Sequence, residues 1–139
     1  MKYFLLPALA MSLTASLEAN AGAAADFPVG LWKTTHYLVN QQHPKAVSFY
    51  VCMNADGTWQ SIQSQDGMGG RWERSGNSIN LTGNGANMGG TGEITLIVPY
   101  RTMTGTWQSW SLNAVDKAHH VYTSKWDSAN RTNCDLPKQ

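Results

Sequence analysis

Beyond residue 26 the chain falls into short runs in which apolar and polar residues alternate with a period of two. Alternation of this kind marks half-buried β-strands, because successive side chains point to opposite faces of a sheet. In the run 31–39, Trp32, Thr34, His36 and Leu38 share one face, while Lys33, Thr35 and Tyr37 share the other. In 46–53, Val47, Phe49 and Val51 alternate with Ser48, Tyr50 and Cys52. In 58–64, Trp59, Ser61 and Gln63 alternate with Gln60, Ile62 and Ser64. Three shorter runs follow at 71–74, 78–82 and 93–98, the second with Ile79 and Leu81 on one face. The run 102–112 aligns Met103, Gly105, Trp107 and Ser109, and the run 119–126 aligns His120, Tyr122, Ser124 and Trp126. No helical period of useful length occurs after the N-terminal segment.

The segments between these runs carry turn chemistry. Asn54-Ala-Asp-Gly57 and Ser75-Gly-Asn77 read as tight hairpin turns. Pro99–Arg101 and Asn113–Lys117 read as further turns, and 40–45 as a polar loop around Pro44. The stretch 65–70 reads as a flexible connection, and 83–92 as the longest and most glycine-rich loop. Eight short strands joined by hairpins form a meander, and an open meander leaves two unpaired edges. Closing it removes them, so the expected fold is all-β: an eight-stranded antiparallel up-and-down barrel, with a β-sandwich as the alternative. A barrel of this size holds side chains or one small ligand.

Two repeats run across the pattern. Gly57-Thr-Trp-Gln-Ser61 recurs as Gly105-Thr-Trp-Gln-Ser109, with looser Gly-x-Trp steps at Gly30-Leu-Trp32 and Gly70-Arg-Trp72. Met68-Gly-Gly70 recurs as Met88-Gly-Gly90. The order Gly30-x-Trp32, Asn54-Ala-Asp-Gly-Thr-Trp59, Gly70-x-Trp72 and Ser75-Gly-Asn-Ser-Ile79-x-Leu81 resembles the small lipocalin-like domains of secreted bacterial proteins. The resemblance covers most of the first half of the mature chain and Met103-Thr-Gly-Thr-Trp107 in the second. It implies a lipocalin- or calycin-like β-barrel in which Trp32 plugs one end.

The N-terminus changes the picture of where such a domain works. Lys2, an apolar run over 3–13 and small residues thereafter read as a secretory signal peptide over 1–25, cleaved after Ala21 or Ala25. The apolar run falls short of the ~20 residues that a membrane span requires. A single domain, 26–139, is then expected to be secreted or periplasmic. Cys52 and Cys134 are the two cysteines, and an oxidising compartment makes a disulfide between them the expectation. Ten Lys and Arg stand against nine Asp and Glu, with no basic run. That scatter argues against nucleic acid and against an anionic membrane surface as partners.

Candidate chemistry is sparse. No nucleophile-elbow, zinc-protease or phosphate-loop motif occurs, and Asp56, Asp66, Asp116 and Asp127 fall in turns or the tail. No enzymatic activity is expected, a weak hydrolase without a recognisable motif being the exception. His36 and His120 fall on the first and last strands, which a closed barrel makes neighbours, but a metal site lacks its third ligand. No metal and no cofactor are expected. Polar residues beside aromatic ones on inward faces point to ligand binding at the barrel mouth. His36, Trp59, Gln63, Trp107 and Tyr122 are the candidate residues, for a small apolar or aromatic molecule. The alternative is an inhibitor or immunity-type protein that binds a partner enzyme through its glycine-rich loops, with Asn87 and Met88 at the tip of 83–92. Trp110 and Trp126 are expected as exposed partner contacts.

Overall fold

The period-two runs become strands that close on one another. A computed structural model describes residues 27–39, 46–64, 67–97, 101–112 and 120–139. The expected signal peptide and its cleavage sites, the 40–45 loop and the turn at 113–117 lie outside the described residues. The strands are β1 (Gly30–Leu38), β2 (Ala46–Met53), β3 (Thr58–Ile62), β4 (Gly69–Ser75), β5 (Ser78–Asn84), β6 (Met88–Ile97), β7 (Thr102–Ser111) and β8 (His120–Asn130). Each pairs antiparallel with the next, and β1 pairs with β8, giving a closed up-and-down barrel in chain order. The topology is calycin-like, and the sandwich alternative is set aside.

The faces read from alternation hold. Trp32, Val51, Trp59, Leu81, Ile94, Met103, Trp107 and Trp126 are all buried in one core inside the barrel. Outward positions carry Lys33, Gln60, Arg71, Glu73, Asn80, Thr82, Glu93, Gln108 and Lys125, all exposed. That polar exterior is unlike the apolar outward band of a membrane-spanning barrel. Among the described residues no helix is long and apolar enough to cross a membrane.

The register also tilts the strands. Starting at Gly30, the row of paired residues passes through Met53, Trp59, Gly70, Gly83, Gly90 and Ser109 to His120. The partner of Leu38 is Tyr122, so one circuit of the wall climbs about one strand length. This stagger is what tilts strands and sets the bore of a closed sheet.

The glycine-rich stretch 83–92 is corrected by the structure: it is not a loop. Gly83 and Asn84 end β5 and Gly89 to Gly92 belong to β6, paired Gly83 with Gly90 and Asn84 with Gly89. Only 85–87 connect them, closed by a Gly85 N–H to Met88 carbonyl bond of 2.7 Å. Likewise β4 begins at Gly69, not at 71. The physical reason lies on nearby strands of the wall. A β-carbon on Gly83 would strike Cζ2 of Trp59, and one on Gly90 would strike Cζ2 of Trp107. A β-carbon on Gly92 would stand 2.7 Å from Cε3 of Trp107. Gly70, Gly83 and Gly90 are adjacent on three strands; the missing side chains of Gly83 and Gly90 make room for the two indoles, while Gly70 sits close against the backbone of Thr82 and Gly83. β8 extends to Asn130, past its expected end at 126, and β3 ends at Ile62, before 64.

One end of the barrel is sealed. Trp32 is 1% exposed, and its indole N–H donates to the Pro28 carbonyl at 2.7 Å. Phe27 packs edge-on against it at 5.7 Å between centroids. Arg131 lies 4.5 Å over the Phe27 ring, and Arg74 Nη1 donates to the Phe27 carbonyl at 2.9 Å. At the same end the Thr58 hydroxyl and N–H both donate to Asp56 Oδ1, at 2.6 and 3.0 Å, fixing the turn from β2 to β3. These bonds hold the exposed Asp56 carboxyl below its ordinary range. Trp72 donates its indole N–H to the Asn54 carbonyl at 3.0 Å, tying β4 to the same turn. The Cys52–Cys134 disulfide joins β2 to the C-terminal tail across 82 residues of sequence. Such a bond is characteristic of proteins in oxidising compartments.

Candidate functional site

The opposite end holds a cavity of about 360 Å³. It sits among the C-terminal halves of β1 and β7, the start of β2, the end of β3 and the first residues of β6, the end that faces away from Trp32. All five candidate residues line it: His36, Trp59, Gln63, Trp107 and Tyr122. Phe49, Met68, Met88 and Trp126 complete its aromatic and thioether wall, and Ser61 and Ser109 add hydroxyls.

The two copies of the Gly-Thr-Trp-Gln-Ser pentapeptide meet here. Trp59 and Trp107 pack edge to face, with centroids 5.7 Å apart and planes at 87°. This is a favoured arrangement of two aromatic quadrupoles. The Trp59 N–H is held by the Arg71 and Thr82 carbonyls, both at 3.1 Å. The serines that close each copy, Ser61 and Ser109, both face the cavity. The Met-Gly-Gly repeat has a matching account. Met68 and Met88 stand two residues before Gly70 and Gly90, the strand neighbours of Gly83, and both side chains reach the cavity. Met68 is fixed there because its carbonyl accepts the Ser61 N–H at 2.7 Å and the Ser61 hydroxyl at 3.0 Å.

His36 sits among rings. Its centroid lies 5.1 Å from Phe49, 6.0 Å from Tyr122, 6.4 Å from Trp126 and 6.5 Å from Trp107. It is 8% exposed, and burial among apolar groups pushes its pKa down to about 4. At neutral pH it is an uncharged imidazole with one donor and one acceptor nitrogen. Nε2 has no hydrogen-bond partner among the described residues, nor do Ser109 Oγ and Thr34 Oγ1. Native interiors seldom leave such atoms unpaired.

Several sequence expectations are sharpened or corrected. His36 and His120 do not come together: His36 pairs with Ser124 on β8, four residues beyond His120, and His120 is exposed. Among the described residues no group of three or more His, Cys, Asp or Glu is placed to hold a metal ion. Met88 is not a loop tip but the first residue of β6 and part of the cavity wall, while Asn87 stays exposed in the turn. Trp126 is not a surface residue; it is 3% exposed, lines the cavity and donates to Ser124 Oγ at 3.1 Å. Trp110 packs on the outer wall over Gly89, half-buried, beside a shallow groove floored by Gly69, Gly70 and Gly83. Gln63 follows the end of β3 in the left-handed region at φ 60°, exposed at the cavity rim, so strand alternation does not set its direction. Phe49 and Ser109 lay on the inward faces read from the sequence, and alternation was the signal that could have named them. Met68 and Met88 carried a signal too, their repeated Met-Gly-Gly.

No family model matches the chain, no curated protein matches it, and no solved structure matches it. What the chain is similar to is therefore stated by its geometry: an eight-stranded antiparallel closed barrel, sealed at one end and hollow at the other.

Proposed function

We propose that this is an exported, lipocalin-like binding protein whose cavity takes a small hydrophobic or aromatic molecule, with no catalysis and no cofactor. The observation that carries the reading is the cavity itself, enclosed by Phe49, Trp59, Trp107, Tyr122 and Trp126 and backed by a sealed barrel end. Its volume falls at the small end of the range for ligand sites, roughly 300–1,000 Å³. That suits a one- or two-ring molecule better than a long acyl chain. Secretion or a periplasmic location rests on the N-terminal segment of the sequence and on the disulfide.

The reading in which a partner enzyme is bound through 83–92 has lost its long loop, because all but 85–87 of that stretch is strand. Titration of intrinsic tryptophan fluorescence with neutral one- and two-ring aromatic molecules tests the ligand reading. Saturable quenching is expected, since Trp59, Trp107 and Trp126 all line the site, and Trp107→Ala is expected to abolish it. A flat response across the panel would count against ligand binding. A protein captured from extracellular enzymes, and lost on shortening 85–87, would favour the partner reading instead.

A further inference from the structure

We infer that the molecule held in the cavity is uncharged and offers a hydroxyl to His36 and Ser109, the chemistry of an aromatic alcohol. The inference rests on the ligand-binding reading above and adds the class of ligand.

Two features of the wall carry it. The first is charge. Among the described residues no Lys, Arg, Asp or Glu lines the cavity, and its one titratable imidazole is uncharged at neutral pH. The groups packed on that imidazole are the rings of Phe49, Trp107, Tyr122 and Trp126. An ammonium or carboxylate moved into such a site loses its hydration and gains no counter-charge. The second is polarity at two defined points. His36 Nε2 and Ser109 Oγ are buried, lack a partner among the described residues, and belong to side chains that are 8% and 1% exposed. Both residues line the same cavity. A pure hydrocarbon filling the cavity would leave both atoms unpaired and dry, whereas a ligand group that pairs with them would not.

A hydroxyl answers this wall better than a donor-only or acceptor-only group. A neutral imidazole presents either N–H or a lone pair at Nε2, and a serine hydroxyl rotates to do either. A ligand hydroxyl both donates and accepts, so it pairs with Nε2 in either tautomer. The surrounding rings supply stacking and edge contacts for the ligand's aromatic body.

Calorimetric titration of the full mature chain at pH 7 with four probes of one shape tests this: 2-naphthol, naphthalene, 2-naphthoate and 2-naphthylmethylammonium. The expected result is saturable binding of 2-naphthol, with naphthalene at least about tenfold weaker. Both ions should bind at least about a hundredfold more weakly than 2-naphthol. In His36→Phe the preference for 2-naphthol over naphthalene should fall to within about threefold, and Ser109→Ala should reduce it by a smaller factor. Equal affinity of the wild-type chain for 2-naphthol and naphthalene would overturn the inference while leaving hydrophobic binding in place. So would tightest binding of either ion. Failure of all four probes to bind would remove the ligand reading and the inference together. The wild-type comparison needs no variant, so it stands even if His36→Phe fails to fold.

Discussion

Both ends of the barrel are built around tryptophans, but their polar groups are satisfied differently. At the sealed end the indole N–H of Trp32, the guanidinium of Arg74, the indole of Trp72 and the carboxylate of Asp56 all have partners. At the hollow end His36 Nε2 and Ser109 Oγ have none among the described residues, and Thr34 Oγ1, one inward step from His36 towards the seal, has none either. Trp32 fills its end completely, whereas Trp59 and Trp107 pair edge to face and leave about 360 Å³ beside them. Paired polar groups and filled volume stabilise a fold; unpaired groups and open volume cost it. The sealed end is therefore the structural end. The hollow end leaves buried polar groups without partners among the described residues, a cost that sites which work by binding commonly carry.

This contrast can be broken at either end. The largest expected effect is Trp32→Ala, which opens a void at the sealed end and should cost about 3–5 kcal/mol by urea unfolding. Removing both sulfurs with Cys52→Ser and Cys134→Ser should cost up to about 4 kcal/mol in the chain-entropy model. Unfolding titrations under matched conditions compare the two.

A third effect comes from His36 and depends on pH. Its folded pKa of about 4 lies below the 6.5 of a free histidine. Above pH 6.5 both states are uncharged and the group contributes no pH dependence. As pH falls from 6.5 to 4 the unfolded chain takes up a proton that the folded chain refuses, so stability drops, and the drop levels off below 4. The full loss is on the order of 3 kcal/mol. The exposed Asp56 acts in a lower window, since its depressed pKa lies below 3.8 and its contribution is lost only under that pH. Unfolding midpoints measured from pH 7 to 4 should fall in the wild type and flatten in His36→Phe. A wild-type curve as flat as the variant's would show that His36 is not held uncharged.

Smaller again is Gly90→Val, which sets a branched side chain against Trp107 and should cost about 1–3 kcal/mol, with a changed near-ultraviolet tryptophan signal. Smallest, and of opposite sign, is Ser109→Ala. Deleting an unpaired buried hydroxyl should leave stability unchanged or raise it by about 1 kcal/mol. Marked destabilisation by Ser109→Ala would mean that the hollow end is as fully satisfied as the sealed one.

Much of this molecule was legible in its sequence. Period-two alternation placed Trp32, Thr34 and His36, Trp59 and Ser61, and Trp107 and Ser109 on inward faces, because a strand alternates by geometry whatever its surroundings, whereas Trp126 was expected at the surface. Two cysteines in a chain with an export-type N-terminus were enough to expect their pairing. The glycines were not legible in the same way. A strand is recognised by its side chains, and Gly83, Gly89, Gly90 and Gly92 have none, so 83–92 read as loop. Only strand pairing brought Trp59 against Gly83, Trp107 against Gly90 and Gly92, and Trp110 against Gly89, and made their emptiness a requirement of packing. The tilt of the strands was equally out of reach. It set His36 four residues beyond His120 on β8, separating two histidines that strand adjacency alone would have joined. Sequence determined which side chains face inward, since that is a local property of the backbone. Tertiary structure decided which of them touch, which are left unpaired and where space remains, since those depend on the register of all eight strands at once.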